Sequence, residues 1–529
     1  MMVQLHSNRR PHRPGKRYYR CTADRFAPPK PVLLVLAFVV LTGWLPARAQ
    51  DTTQTDTVKV RLVEILNADL LTRSIENGEE VRSLSGNVRL RQDSTDLWAD
   101  RATQYVAREE IHFEGNVQII DKGDSLSSAR IRYDSRNKVG YAEGDLRLAD
   151  GEVEVFAPSG TYFVDEKRSR FDEGVRLVDS TAVLTSRAGE YFSDEKRAEF
   201  YEDVLLVEER TTLSADSVTY YRDTEVSLAR GNVFIHRIGG QDSESPPDSL
   251  VRTLLFGHEA YNDNRQSYSK ITGNPLLVQL REDSTTAEVD TLVVRADVLE
   301  ASRVDSLERL IAVGSVQAWQ KEFAARADSL VVDRITLPDS TEKEDVRLFR
   351  NPIAWFKESQ VTGDTLFYRT TPGGADSLFA FPNAFVARYD SALARIHQIK
   401  GRTLVGTLRD DTLRTMEVGP NAELIYYLTN KEDQADGAVR TSADRIVFYF
   451  NGGELTRTSV LGRTEGTYYP EDLIPDQFEL TGFLWVPENR PTREGLLDDE
   501  RVRERLRPPP ETSPTEPLVS TGANTTTMP

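Results

Sequence analysis

Four histidines lie beyond the first fifty residues, His112, His236, His258 and His397, and no two of them sit at a metal-ligand spacing such as H-x-x-x-H. No G-x-S-x-G elbow and no glycine-rich phosphate loop occurs. Carboxylates are abundant, and the phrase Asp-Ser-Leu returns at Asp124, Asp248, Asp305, Asp328 and Asp376. At this density acidic pairs arise by chance, and the phrase stands where a turn enters a strand, so no acid/base pair can be nominated. The one cysteine, Cys21, lies near the start of the chain. These residues predict a protein that is not an enzyme, with no metal site, no cofactor and no thiol chemistry.

The elements around them are more informative. A basic stretch from Arg9 to Lys30, an apolar run from Val32 to Leu45 and the sequence Ala47-Arg48-Ala49 form the layout of a secretory signal. Residues 1–49 are therefore expected to be a signal peptide cleaved after Ala49. Losing them removes nine Lys/Arg and one acidic residue, which moves the net charge from −18 to −26. So acidic a chain predicts no nucleic-acid partner, because phosphate contacts need Lys and Arg.

A glycine-asparagine-valine phrase recurs at Gly86-Asn87-Val88, Gly115-Asn116-Val117, Gly144-Asp145-Leu146, Glu173-Gly174-Val175, Glu202-Asp203-Val204 and Gly231-Asn232-Val233, always 29 residues on. A fixed period of this size marks a stacked array. Within a unit the period falls to two, as in Ile111-His112-Phe113-Glu114-Gly115-Asn116-Val117-Gln118-Ile119, so one strand face is buried. Stacking then makes inward columns. One is Leu84, Phe113, Ala142, Phe171, Phe200 and Ala229; the second is Val88, Val117, Leu146, Val175, Val204 and Val233; the third is Leu90, Ile119, Leu148, Leu177, Leu206 and Ile235. A second strand per unit ends on a tyrosine (Tyr105, Tyr133, Tyr162, Tyr191, Tyr220, Tyr261), with an apolar partner seven places earlier (Trp98, Leu126, Val155, Leu184, Leu213, Leu254). One rung per sheet from each of thirteen to fifteen units predicts a body about 60 to 70 Å long. The repeated glycines are read as bulges and the tyrosines as a stacked ladder, neither as a ligand site.

The fold class expected is all-β: an elongated repeat array of antiparallel strands in ~29-residue units. The chain divides into residues 50–83, an N-terminal strand over 58–66 and a connector; 84–238, the regular array; 250–470, a divergent continuation; and 487–529, a Pro/Thr-rich disordered tail with one short helix over 493–507.

The phrase G-N-V-x-[LI], followed by an apolar-to-tyrosine strand, resembles the OstA/LptA/LptC family of lipopolysaccharide-transport proteins, a type also found as the N-terminal domain of LptD. The resemblance covers 84–235 and, more loosely, 250–470. It implies folded-over antiparallel sheets, a β-jellyroll likened to a taco, that hold acyl chains between them. It also implies strand pairing with like-folded LptC/LptD-type partners or end-to-end self-association, and a periplasmic or outer-membrane-associated location. The chain departs from the short bridge proteins in its length. It departs from full LptD in lacking a regular series of ten-residue amphipathic barrel strands after residue 310.

The function expected is a periplasmic bridge that shields lipopolysaccharide acyl chains. Its lipid-groove residues would be Val88, Leu90, Val117, Ile119, Leu146, Leu148, Val175, Leu177, Val204, Leu206, Val233 and Ile235, whose medium-sized side chains leave room that Phe and Trp would fill. The rival readings are a structural or adhesive envelope solenoid with a sealed core, and a carbohydrate-acting enzyme on a β-helical frame.

Overall fold

A computed structural model describes residues 63–506 apart from 150, 152, 240–248, 284–288, 339–340, 410–411, 431 and 433. The signal segment, its cleavage site, residues 58–62 of the strand expected over 58–66 and the tail beyond 506 lie outside the described residues.

The fold follows from one repeated corner. Strand β1 (Glu64–Asn67) and strand β2 (Leu70–Glu76) both pair with the long strand β3 (Glu79–Gln92), each with a different half of it. Between those halves Gly86 and Asn87 take positive φ, +80° and +47°. The ladder to β4 (Thr95–Tyr105) slips there, because Ser85 pairs with Arg101 while Val88 pairs with Ala99. Three steps on one strand match two on the other, which is a β-bulge.

The same two-residue left-handed step returns at Gly115-Asn116, Gly144-Asp145, Gly231-Asn232, Gly273-Asn274, Gly314-Ser315 and Arg350-Asn351. At Gly115 a side chain is excluded twice. The φ of +75° disfavours any Cβ, and a Cβ there would collide with the Asp100 carboxylate. That carboxylate accepts from Asn116 Nδ2 at 2.9 Å, which explains why asparagine follows the glycine.

Each corner sends the chain from one sheet into another. The first sheet takes the halves on one side of the corners, such as 79–85, 101–105 and 110–114; the second takes those on the other side, 88–92, 95–99 and 117–121. All pairings are antiparallel. A unit crosses the corner twice and so adds two rungs to each sheet, not the single rung expected from the repeat. Following the pairings from Leu70–Glu76 to Glu454–Leu461 gives 24 rungs in the first sheet, and from Glu64–Asn67 to Glu465–Tyr469 gives 24 in the second. At about 4.8 Å per rung the body is roughly 110 Å long, which corrects the 60 to 70 Å above.

The sheets meet at the corners, and their far margins end in hairpin turns that no backbone pairing joins among the described residues. Apolar side chains between the sheets form one core over 84–271 and a second over 294–448.

Two rungs break the expected columns. Tyr133, Tyr162, Tyr191 and Tyr220 face inward and are buried, but Tyr105 and Tyr261 face out, Tyr105 lying 4.0 Å under the Arg108 guanidinium. Their partners are flipped with them: Leu97 and Leu255 hold the inward places expected for Trp98 and Leu254. The cause is spacing. Tyr105 precedes Tyr133 by 28 residues instead of 29, and a shift of one residue turns a strand's side chains to the opposite face.

After Tyr469 the chain reverses and runs back over the outer face of the second sheet. It passes through short 3-10 turns at Glu471–Leu473 and Pro487–Asn489, then α1 (Arg493–Leu497) and α2 (Glu500–Leu506). Phe478 and Leu480 bury against Phe385, Ile425 and Tyr427, and Leu496 and Val502 against Leu254, Phe256 and Val293. Residues 487–506, assigned by composition to the disordered tail, are thus an ordered strap. Its few apolar side chains suffice because the sheet face beneath them is also apolar.

Candidate functional site

The twelve groove candidates all line the interior on the second sheet. Val88, Leu90, Val117, Ile119, Leu146, Leu148, Val175, Leu177, Val204 and Val233 are buried in the first core, and Leu206 and Ile235 pack against it half-buried. Cross-strand partners explain their packing. Each member nearest the corner faces a small residue: Val88 faces Ala99, Val117 Ser128, Leu146 Ala157, Val175 Ser186, Val204 Ala215 and Val233 Gly257. In the next column like faces like, as in Leu90 with Leu97, Leu177 with Leu184 and Leu206 with Leu213.

The serines do not make this wall polar. Ser128 donates to the Glu143 carbonyl at 2.8 Å and Ser186 to that of Ala188 at 2.9 Å, which spends both hydroxyls on the corner backbone. Across the gap stand Leu84, Phe113, Ala142, Phe171, Phe200 and Ala229 of the first sheet.

The interior is closed at mid-array, where Val117 is 1% and Leu177 2% exposed. At the N-terminal end it opens into a small recess lined by Val63, Arg82, Leu84, Leu90, Ala102, Gln104, Ile111 and Phe113. Beyond it the end rungs are bare: Ile75 is 79% exposed, and Leu70 and Leu71 more than half. The 58–66 expectation missed β2, which carries these three residues.

Polar groups gather at the margins. Burial pushes the Tyr133 phenol up to about 12, with Asp165 and Asp134 adding to the effect. At the margin of the second sheet, burial pushes Glu208 up to about 7; Asp179 adds and Arg237 opposes. His397 gives one ring nitrogen to Asp390 at 3.3 Å, accepts from the Tyr427 amide with the other at 3.2 Å and stacks on Tyr426. Both nitrogens are spent on structure, and burial holds its pKa below the usual value against the pull of Asp390. Among the described residues no three His, Cys, Asp or Glu side chains are grouped to hold a metal ion, and no helix is long and apolar enough to cross a membrane.

Corner, columns and margins repeat most regularly over the first third of the array, and there residues 60–216 match the family model described as OstA-like protein. This segment is similar to that family. The matched segment takes in β1 to β4 and runs into the strand Thr211–Tyr221, so it contains ten of the twelve groove candidates. Among solved structures the chain is similar to LptH of Pseudomonas aeruginosa, described as the LptA-homologous periplasmic component of a lipopolysaccharide transport device. The identity is 14%, over 30% of this chain and 92% of that one, with a TM-score of 0.14. No curated protein matches the sequence.

Proposed function

We propose that this chain is a periplasmic, lipopolysaccharide-handling bridge that shelters acyl chains between its two sheets. The carrying observation is the apolar wall of the Val88 and Leu90 columns, which runs behind a margin that no backbone pairing closes among the described residues and ends in an open recess. Parting the margins would exchange side chain for acyl chain against that wall, at about 0.8 kcal/mol per methylene removed from water. The OstA-like match over 60–216 supports the same reading. An energy source elsewhere would move the lipid. The exposed β1 and β2 edges, whose outer backbone groups find no strand partner among the described residues and which leave Ile75, Leu70 and Leu71 uncovered, would pair with a like-folded protein or a second copy.

The test pairs Val175→Arg with Arg176→Ala in a lipopolysaccharide-binding assay. A charge at position 175 must lose hydration or expel the acyl chain, at a cost of several kcal/mol, while position 176 faces out. Loss at 175 alone supports the proposal. Equal binding by both variants overturns it.

One observation favours a second reading, a sealed structural solenoid: the columns are closed at mid-array. Under that reading Val175→Arg unfolds the local rungs and no form of the protein takes up lipid.

A further inference from the structure

One inner column changes character part-way along the stack. The Leu90 column carries Leu, Ile or Val on every rung from Leu90 to Val294, passing Leu255 and Leu277, and again from Val361 to Leu424. Between these stretches stand three alanines on neighbouring rungs, Ala318, Ala325 and Ala354. The apolar wall steps back there, because alanine ends at Cβ. All three are buried, so the sheets close over them.

The missing bulk reappears at the margin. Side chains two places apart on a strand share a face, so Phe323 lies on the cleft side with Ala325, and Phe356 with Ala354. The two phenylalanines pair across neighbouring rungs. In the same marginal position the regular array carries residues such as Asp179, Glu208 and Thr211. Phe323 is 40% and Phe356 48% exposed, and both rings lie outside the second core.

The turns that bear the rings are braced. Lys357 pairs with Glu322 at 3.5 Å, and Arg490 of the strap donates to the carbonyls of both residues. The facing lip is charged instead of aromatic. The strand Phe323–Thr336 crosses the corner into the first sheet, where Arg334 takes the marginal position between Glu308 and Glu344 and pairs with Glu344 at 2.8 Å.

Exposed apolar surface on a fixed element marks a place of interaction. Its continuity with the cleft sets the chemistry of what it takes: a flexible hydrocarbon chain can lie over the rings and pass inward over alanine, where branched side chains would stand in its way. We propose that this stretch of the second sheet's lip is a lateral port, through which an acyl chain passes between the cleft and the outside over Phe323 and Phe356 and onto the floor of Ala318, Ala325 and Ala354. The inference rests on the reading of the interior as a lipid cleft and says where along the stack that cleft is entered.

The test uses the full chain, purified lipopolysaccharide as probe and an aromatic photo-reactive residue at one of two positions. One is Phe356 on the port; the other is Leu206, inward-facing and half-buried in the regular array. After mixing, the adduct at 356 should appear before the adduct at 206. Phe323→Ser combined with Phe356→Ser should slow labelling at 206 about tenfold, a change equal to about 1.4 kcal/mol, and Phe323→Leu with Phe356→Leu should keep most of the rate. Ala354→Val, which gives that rung the side chain of Val361 beside it, should slow labelling too. Hydrogen exchange across 318–361 checks that each variant keeps its rungs, which separates a lost port from a lost fold.

An adduct at 206 that forms no later than the one at 356 overturns the port, as does an unchanged rate in the folded serine variant. A missing adduct at both positions overturns the lipid reading itself, and the port falls with it.

Discussion

Truncating Leu177 to alanine reports on how the interior is built. The side chain is 2% exposed, pairs with Leu184 and Val155 on the neighbouring rungs and lies in the first core. Removing it from a closed, well-packed interior costs the transfer free energy of the lost methyl groups plus a cavity, about 3 kcal/mol. Arg176→Ala one residue away removes an outward side chain that lies 5.7 Å from the Phe156 ring and costs about 0.5 kcal/mol. Stability in a stacked array is a sum of neighbour terms, so the loss should stay local. The assay is native-state hydrogen exchange resolved by peptide. Amides in 146–157, 175–186 and 204–215 should exchange about a hundredfold faster in Leu177→Ala, and those beyond residue 330 should not change. Similar effects from both variants would refute a packed interior at this rung, and loss of protection along the whole chain would refute the independence of the rungs.

Small-angle scattering should report an elongated particle roughly 110 Å long, and a compact sphere would contradict the two-rungs-per-unit assignment. Gly115→Ala should speed exchange across 110–121 by the equivalent of about 1 to 2 kcal/mol, because the corner needs positive φ and Asp100 occupies the space a Cβ would take. Glu208 holds its proton more tightly folded than unfolded, so its contribution is complete below the ordinary value of 4.5 and is lost as the pH rises through about 7. Once the intrinsic rise of amide exchange with pH is divided out, protection over 204–215 should therefore fall across that window and stay constant in Glu208→Gln.

Much of this architecture could be read from the repeat. The 29-residue period and the two-residue alternation identify the corner, the three columns and the inward face, because each depends on side-chain pattern alone. The number of rungs per unit did not follow, since it depends on the backbone crossing between sheets at Gly86-Asn87, and a period counts residues and not crossings. Tyr105 and Tyr261 were misplaced for a related reason: they match in type, but the spacing to their neighbours is not 29. The strap had a signal that composition hid. Ala384-Phe385-Val386-Ala387 is apolar without alternation and is buried on both faces, so something had to cover its outer side. The columns themselves do not separate a groove from a core, because both need medium-sized apolar side chains.

Lipid extraction of the full chain, purified from an envelope that makes lipopolysaccharide and analysed by mass spectrometry, tests the central claim most directly. The two-sheet cleft predicts a multiply acylated glycolipid that co-purifies in near-stoichiometric amount and is depleted in Val175→Arg but not in Arg176→Ala. A folded β protein that carries no acylated lipid in any of the three forms would contradict it.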